Sequence, residues 1–389
     1  MHLRYIKIWL SITLGALATV AILNLLVDPL GAHPGIHWKA FDDYRYALND
    51  RIPKAEMARR GDWEVIVLGS SRAKAGFPAV HSFFLTNKTC NLSLDGVTFP
   101  EVFAAFELAS HCNPIKHVVL GLDFYMFSQG NPYVLDFQES RFNTNLDVFL
   151  YYSKQLLGIA STRMTFDTLG EKLAGKRVDP QERFGFAGPK LPSGVSQRDL
   201  FDKVLRQMGA GYAMQKFDLT RMDLVRQIVQ ACRDRHIDLK IAIMPVHALD
   251  IELLHAVGRW NEFEQWKTDL VEIVATNGAG GQVALWDFSG YSGPPAEVVP
   301  PAGDTASRMK YYFENSHCLP VVGGMMLDRM FGPPGTNEFG VLINQTNFQA
   351  HQTRILEDRA AYAKAHPDDM AWIQRIVKES TKPASTAKK

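Results

Sequence analysis

An α/β fold is predicted, built on a parallel, doubly wound sheet of five strands with a long insertion and preceded by one transmembrane helix. Three observations predict it. Short continuous Val/Ile/Leu runs alternate with amphipathic helical stretches, as in strands covered on both faces. One interval between these runs, from Tyr125 to about Thr220, is far longer than ordinary connections. The first thirty positions hold a disproportionate share of the apolar residues.

The chain has 389 residues, with 42 Lys and Arg against 41 Asp and Glu, a formal net charge of +1. Without a basic excess to neutralise phosphates, general nucleic-acid binding is disfavoured. Hydrophobic residues make up 46% and charged residues 21%, which excludes extended disorder. The four cysteines have neither the spacing of a structural zinc site nor the density of a disulfide scaffold. Cys90 and Cys112 are either a bridge or two free thiols.

Residues 1–30 read as a membrane anchor. From Ile8 to Val27 there is no charge, and only Ser11, Thr13, Thr19 and Asn24 interrupt the apolar run. That length suits a helix crossing about 30 Å of hydrocarbon. Arg4 and Lys7 precede the run, so the positive-inside bias puts the amino terminus in the cytoplasm and the rest outside, periplasmic in a bacterial source. A cleaved signal peptide competes with this reading. The run is longer than a usual signal core, however, and no clean A-x-A site follows, so an uncleaved anchor is preferred.

Residues 31–60 read as a connecting segment, rich in His, Trp and Tyr from Gly35 to Arg51, and 61–335 as the α/β domain. Strands are expected at Glu64–Gly69, Thr89–Leu94, His117–Asp123, Leu239–Pro245 and Val283–Phe288. Helices fit at Ala73–Leu85, Pro100–His111, Met222–Arg235, Phe263–Thr276 and Val321–Phe331. The insertion, about 125–220, holds one strong helical pattern (Leu146–Ile159). A Gly, Pro and charge-rich stretch follows, Gly170–Val195, which reads as a surface excursion. Because loops at strand C-termini line the crevice of open α/β sheets, a lid or substrate-binding role is one reading, with a partner-docking or merely mobile insertion equally open. Residues 336–389 form a C-terminal extension of two polar helical stretches (Gln349–Ala365 and Asp368–Glu379) and a frayed tail from Ser380 to Lys389.

The first strand ends in VIVLGSSRAKAGF. Ser70 and Ser71 therefore sit at the turn from a buried strand into a helix, where a hydroxyl stands at the sheet edge beside backbone N–H groups. Taken alone, this is equally an ordinary helix cap. After the last strand, MKYYFENSHCLPVVGGMMLDRM places Glu314 three residues before His317, ahead of an apolar helix. A serine needs a base, and that base needs an acceptor fixing its tautomer; His317 and Glu314 can supply both. The combination is far more specific than either half.

With these residues the sequence resembles the SGNH (GDSL-like) hydrolase superfamily, whose five-stranded flavodoxin-like sheet carries a nucleophile in a G-D-S-type turn and a D-x-x-H motif near the end. The resemblance spans about Glu64 to Met330, with the insertion unmatched. It implies Ser71 as nucleophile, with Ser70 where many members have Asp. It also implies His317 as base, Glu314 replacing the Asp of D-x-x-H, and the N–H groups of Ser71 and Gly96 as oxyanion hole. Where the family has G-x-N-D, this chain reads Gly121-Leu122-Asp123-Phe124. An ionised Asp123 would oppose a developing oxyanion, so either it turns away, or burial protonates it, or catalysis is weak.

Within the superfamily, the layout is similar to membrane-anchored alginate O-acetyltransferase-like proteins and to the teichoic-acid D-alanylation protein that works beside a membrane-bound O-acyltransferase. The shared features are the single anchor followed by DPLG, a G-S-S-R turn, and Gly-rich helix entry after the His block. The resemblance implies serine-dependent O-acyl transfer, acetyl first among acyl groups, to an exported or cell-surface polysaccharide. The expected partners are a membrane-bound O-acyltransferase as donor, the polysaccharide acceptor and the inner membrane, with no metal or organic cofactor. An esterase or deacetylase is the alternative, as is an inactive scaffold that binds polysaccharide or docks to the membrane acyltransferase.

Further residues at the same sheet edge are candidates for binding substrate: Ser70, Arg72, Asp123, His247 and Trp286. Each has a plainer reading. Arg72 can sit on the first helical turn, His247 can be a satisfied loop histidine, and Trp286 can pack in the core. Asp287 and Asp304 are reserve partners for His317. Cys318 lies on the same turn as His317, a poor geometry for a thiol nucleophile.

Overall fold

A computed structural model describes residues 2–33, 38–45, 51–133, 135–189, 191, 193–278 and 281–380. Part of the expected connecting segment, and the expected tail from 381 to 389, lie outside the described residues. Helix α1 (His2–Val27) is long and apolar enough to cross a membrane. Its large apolar side chains from Leu3 to Leu17 are exposed, so it finds no apolar partner in its own chain along most of its length. Near its end, buried Asn24 donates from Nδ2 to the Leu156 carbonyl (2.8 Å) and to Thr162 Oγ1 (2.9 Å).

Strands β1 (Val65–Leu68), β2 (Thr89–Asn91), β3 (His117–Leu122), β4 (Asp238–Ile243), β5 (Val283–Asp287) and β6 (Val341–Ile343) form one sheet in the order β2-β1-β3-β4-β5-β6. The first five are parallel, with Val67 opposite both Asn91 and Val119. They lie within the expected runs, β4 starting one residue early. The five-stranded all-parallel expectation is corrected by β6, which pairs antiparallel with β5. A three-residue edge strand with only Ile343 buried has too little alternation to be read from its pattern.

Around the sheet lie α2 (Arg51–Arg60), α3 (Ser71–Gly76), α4 (Ser82–Leu85) and α5 (Phe99–Cys112). The insertion holds α6 (Leu135–Gln138), α7 (Val148–Leu157), α8 (Ile159–Leu173) and α9 (Gln197–Met214). Then come α10 (Met222–Asp234), α11 (Ala248–Ala256), α12 (Trp260–Asn277), α13 (Pro320–Phe331), α14 (Phe348–Ala365) and α15 (Pro367–Ser380). Helices α5, α10 and α12 connect strands running the same way across the sheet, so right-handed crossovers place them together on one face, where they pack in a row. The β1-to-β2 crossover runs the other way and puts α3 on the opposite face, where α13 packs against it.

Three expectations are corrected. The helix expected over Ala73–Leu85 is two helices, because Pro78 forces Phe77 into extended backbone and ends α3. The C-terminal extension is part of the body: Trp372, Ile373 and Ile376 of α15 are buried, and α15 packs on α9 and α11. The stretch Gly170–Val195 is no mere surface excursion. The Ala187 N–H donates to the Lys74 carbonyl (3.2 Å), Phe186 is buried against Phe84, and buried Lys54 donates to the carbonyls of Gly185 and Ser93. Burial pushes the Lys54 ammonium down to about 7. Nor are Cys90 and Cys112 bridged; both are free thiols, Cys90 buried in β2 and Cys112 exposed at the end of α5.

Gly185 makes this packing possible. Its φ is +86°, and a Cβ there would lie 2.0 Å from the Asn91 carbonyl oxygen of β2. Gly185→Ala is therefore expected to destabilise the protein by about 2 kcal/mol or more through strain and displacement of the loop. A denaturant midpoint equal to wild type would show that the loop does not seal β2.

Candidate active site

Strand β1 delivers the first half of the site. Gly69, with φ +149°, brings the chain so close to β3 that a Cβ would sit 2.8 Å from the Gly121 carbonyl oxygen. Ser70 then caps α3, its Oγ accepting from the Arg72 N–H at 3.0 Å. Ser71, the first residue of α3, is half-buried at the C-terminal edge of the sheet.

The second half lies between β5 and α13. An antiparallel bridge pairs Tyr312 with Cys318, the Phe313 N–H donates to the His317 carbonyl (3.0 Å), and the Leu319 N–H donates to the Tyr311 carbonyl (2.7 Å). This narrow loop buries Glu314 and leaves His317 partly open to solvent. His317 Nε2 lies 2.8 Å from Ser71 Oγ, although 246 residues separate them. His317 Nδ1 meets Glu314 Oε1, and the other carboxylate oxygen accepts from the Ser316 N–H at 2.6 Å. With Nδ1–H donating to the carboxylate, Nε2 is left as an acceptor for the serine hydroxyl. The longer arm of Glu is taken up by the tight turn of its own loop.

Ser70, Arg72 and Asp123, expected as substrate contacts, instead form a buried network beside the triad. Asp123 Oδ2 accepts from Ser70 Oγ (2.5 Å), and Oδ1 accepts from Arg72 Nη1 (2.7 Å). Arg72 also donates to Asp250 Oδ2 (3.1 Å) and to Ser316 Oγ (3.0 Å), with its guanidinium 5.3 Å from the centre of the Tyr125 ring. Of the alternatives at Asp123, this geometry matches the one in which the side chain turns away, here onto Ser70 and Arg72. Arg72 is buried and fully engaged, so it is not placed to steer an anionic ligand.

One guanidinium faces two buried carboxylates, and burial pushes the Asp250 carboxyl up to about 7 against the opposing pull of Arg72. The unfolded chain releases that proton near its ordinary 3.8, so between these values the folded state binds more protons. Stability contributed at Asp250 is thus present at low pH and lost as pH rises towards 7. Asp250→Asn removes the titration. Relative to this variant, wild type is expected to lose melting temperature between about pH 4 and 7. Parallel curves over that window would contradict the assignment.

Gly96 is exposed, has φ +56°, and has open space where a Cβ would stand. Its loop runs beside the serine turn: the Leu94 N–H donates to the Gly69 carbonyl at 3.0 Å, and Asp95 pairs with Lys74 of α3. His247 is not at the site surface. It is fully buried, its Nδ1 accepts from the Leu249 N–H (3.2 Å), and Nε2 contacts the Glu297 carbonyl (2.6 Å). Burial lowers it to about 4, so it stays neutral near pH 7. Trp286 packs in the core against Phe288 and Arg329. Neither reserve carboxylate reaches His317: Asp287 pairs with Lys267 and His351, and half-buried Asp304 accepts from the N–H groups of Ala306 and Ser307. Cys318 is buried, with its thiol pushed up to about 12.

Ser316, Gln197 and Asp250 were not anticipated. Gln197, on α9 of the insertion, donates to the Tyr312 (2.9 Å) and Phe313 (3.2 Å) carbonyls and accepts from the Met309 N–H (2.6 Å), propping the histidine loop from behind. The position of Ser316 inside E-x-x-H was the one available signal; Gln197 and Asp250 had none in local sequence.

A cavity of about 630 Å³ lies between α2 and the α7–α8 pair, and neither Ser71 nor His317 lines it. Among the described residues there is no group of three His, Cys, Asp or Glu that could hold a metal ion. Comparison of the chain with protein-family models, with curated proteins and with solved structures finds no match. The class that fold and site define is an α/β protein with a Ser–His–Glu constellation at the C-terminal edge of its sheet.

Proposed function

We propose that this protein transfers an acyl group, acetyl first among candidates, through an acyl-Ser71 intermediate to a hydroxyl of an exported or cell-surface polysaccharide. The observation that carries the reading is the continuous contact Ser71–His317–Glu314, assembled from opposite ends of the domain. Further support comes from the parallel strands, whose order 2-1-3-4-5 is that of flavodoxin-like sheets and fits an SGNH-type protein.

Ser71 Oγ attacks the acyl carbonyl while His317 Nε2 takes its proton, and Glu314 holds the resulting imidazolium. The backbone N–H groups of Ser71 and Gly96 face the oxyanion. Collapse returns the proton to the leaving group and leaves the ester on Ser71. A sugar hydroxyl, deprotonated by His317, then accepts the acyl group and frees the serine. Water in its place makes the same machinery an esterase. The α1 anchor, with Arg4 and Lys7 on the cytoplasmic side, holds this chemistry at the outer face of the inner membrane beside a membrane-bound O-acyltransferase that supplies the acyl group.

The test is trapping with an activated acetyl ester and locating the added mass. Wild type is expected to carry acetyl on Ser71, and Ser71→Ala none. A soluble oligosaccharide should speed deacylation if transfer is the reaction; no acceleration favours the esterase. Label surviving Ser71→Ala would remove the nucleophile assignment.

A further inference from the structure

We propose that the tip of the α7–α8 hairpin enters the same lipid leaflet from which α1 emerges, giving the protein a second membrane attachment. The proposal rests on reading α1 as a membrane anchor. Helices α7 and α8 both pack on α1. Early in α7, Tyr151 shares a small core with Leu30 and Ala32, beyond the apolar run, and donates to Glu56 of α2 at 2.8 Å. At the other end of α7, the Leu156 carbonyl lies opposite Asn24, inside the run. Helix α7 therefore descends alongside α1. At a rise of about 1.5 Å per residue, Asn24 lies about 6 Å short of Asp28. The turn Leu157–Ile159 stands at that depth or deeper, within the ~5–10 Å to which interfacial helices sink their apolar faces.

The chemistry of the tip suits lipid. Residues 155–162 carry no charge, and Leu157 and Ile159 are 46% and 90% exposed. Lys154 and Arg163 bracket this stretch and are both exposed; Lys154 pairs with exposed Glu139 at 3.1 Å, which leaves Arg163 as the cation placed to reach a phosphate headgroup. Asn24 supplies an independent argument. An amide facing hydrocarbon is costly, and both donor bonds from Asn24 Nδ2 go to the hairpin, to Leu156 and Thr162. A hairpin that satisfies an amide at membrane depth must itself be at that depth.

The test uses the full chain with the exposed thiol removed (Cys112→Ser), leaving three buried cysteines. An environment-sensitive fluorophore is attached to the Ile159→Cys, Ile12→Cys or Glu357→Cys variant. Each protein is placed in phosphatidylcholine–phosphatidylglycerol vesicles containing spin-labelled lipids. Ile12 reports on the anchor. Exposed Glu357 lies on α14, which packs on β5 at the β6 end of the sheet, opposite the β2 end, where Lys54 of α2 bonds the Ser93 carbonyl. The labels at 159 and 12 are expected to lose most of their emission, that at 159 most strongly with the quencher near the lipid carbonyls, while the label at 357 keeps its emission. Quenching at 12 without quenching at 159 overturns the hairpin proposal and leaves the anchor standing; the apolar tip then faces protein. No quenching at 12 overturns the anchor reading beneath it. Equal quenching at 159 and 357 means general adsorption and also overturns the proposal.

Discussion

Replacing Ser71 with Ala is expected to lower the rate of the proposed acyl transfer by at least about 10⁴-fold, because Ser71 carries the hydroxyl that meets the base His317. Stability should change by less than about 1 kcal/mol, since the hydroxyl is half-exposed and caps nothing. His317→Ala should be equally severe. The double variant should lose nothing further, because the two residues act as one unit. Glu314→Gln tests the third member. The carboxylate accepts from both His317 Nδ1 and the Ser316 N–H. An amide can accept from only one of them with its oxygen and must turn its NH₂ on the other. If the NH₂ faces Nδ1, the imidazole takes the wrong tautomer and Nε2 carries a proton where a base is needed, a loss of about 10³–10⁴-fold. Acetyl-enzyme formation followed by mass, with melting curves as control, reads all four proteins. Full labelling in Glu314→Gln would mean the carboxylate only shapes the loop.

The sequence made the parallel sheet and the pair of chemistry-bearing turns legible because both are written locally. Runs such as VIVL and HVVLGL are apolar on both faces, the G-S-S turn places Ser71 three residues after β1, and the E-x-x-H turn places His317 three residues before α13. What stayed hidden depends on distant partners. Nothing near Gln197 indicates that its amide supports a loop more than a hundred residues away. The role of Asp123 could not be read from the G-L-D-F block, because it is decided by Arg72 reaching across from the neighbouring strand's turn. The same is true of Gly170–Val195, whose polar composition resembles a surface loop but whose Phe186 and Gly185 are sealed against α4 and β2. His247 follows the same rule: at the sheet edge by sequence, it is buried against Phe201 and Tyr312 and meets the carbonyl of Glu297, fifty residues on.

Arg72→Met is expected to be the most destabilising single change in the site, by about 3–5 kcal/mol, because it leaves buried Asp123 without the cation it pairs with, while Asp250, already pushed up to about 7, keeps its proton. Methionine replaces most of the volume, so the loss reports charge rather than a cavity. Arg72→Lys should recover only part. An ammonium cannot reach Asp123, Asp250 and Ser316 Oγ together in the fixed fork that the guanidinium provides, nor lie flat near the Tyr125 ring. The decisive variant adds Asp123→Asn and Asp250→Asn to Arg72→Met. With the carboxylates neutral, the uncompensated charge is gone, and most of the lost stability should return. Activity should not return with it. Arg72 Nε holds Ser316, which lies between Glu314 and His317, so the loop that aims the imidazole at Ser71 loses its tie to α3. Denaturant midpoints and acetylation rates on the same proteins separate the two effects. A triple variant as unstable as Arg72→Met would show that the arginine acts through packing. One that recovered full acetylation would show that the Ser316 contact does not position the histidine.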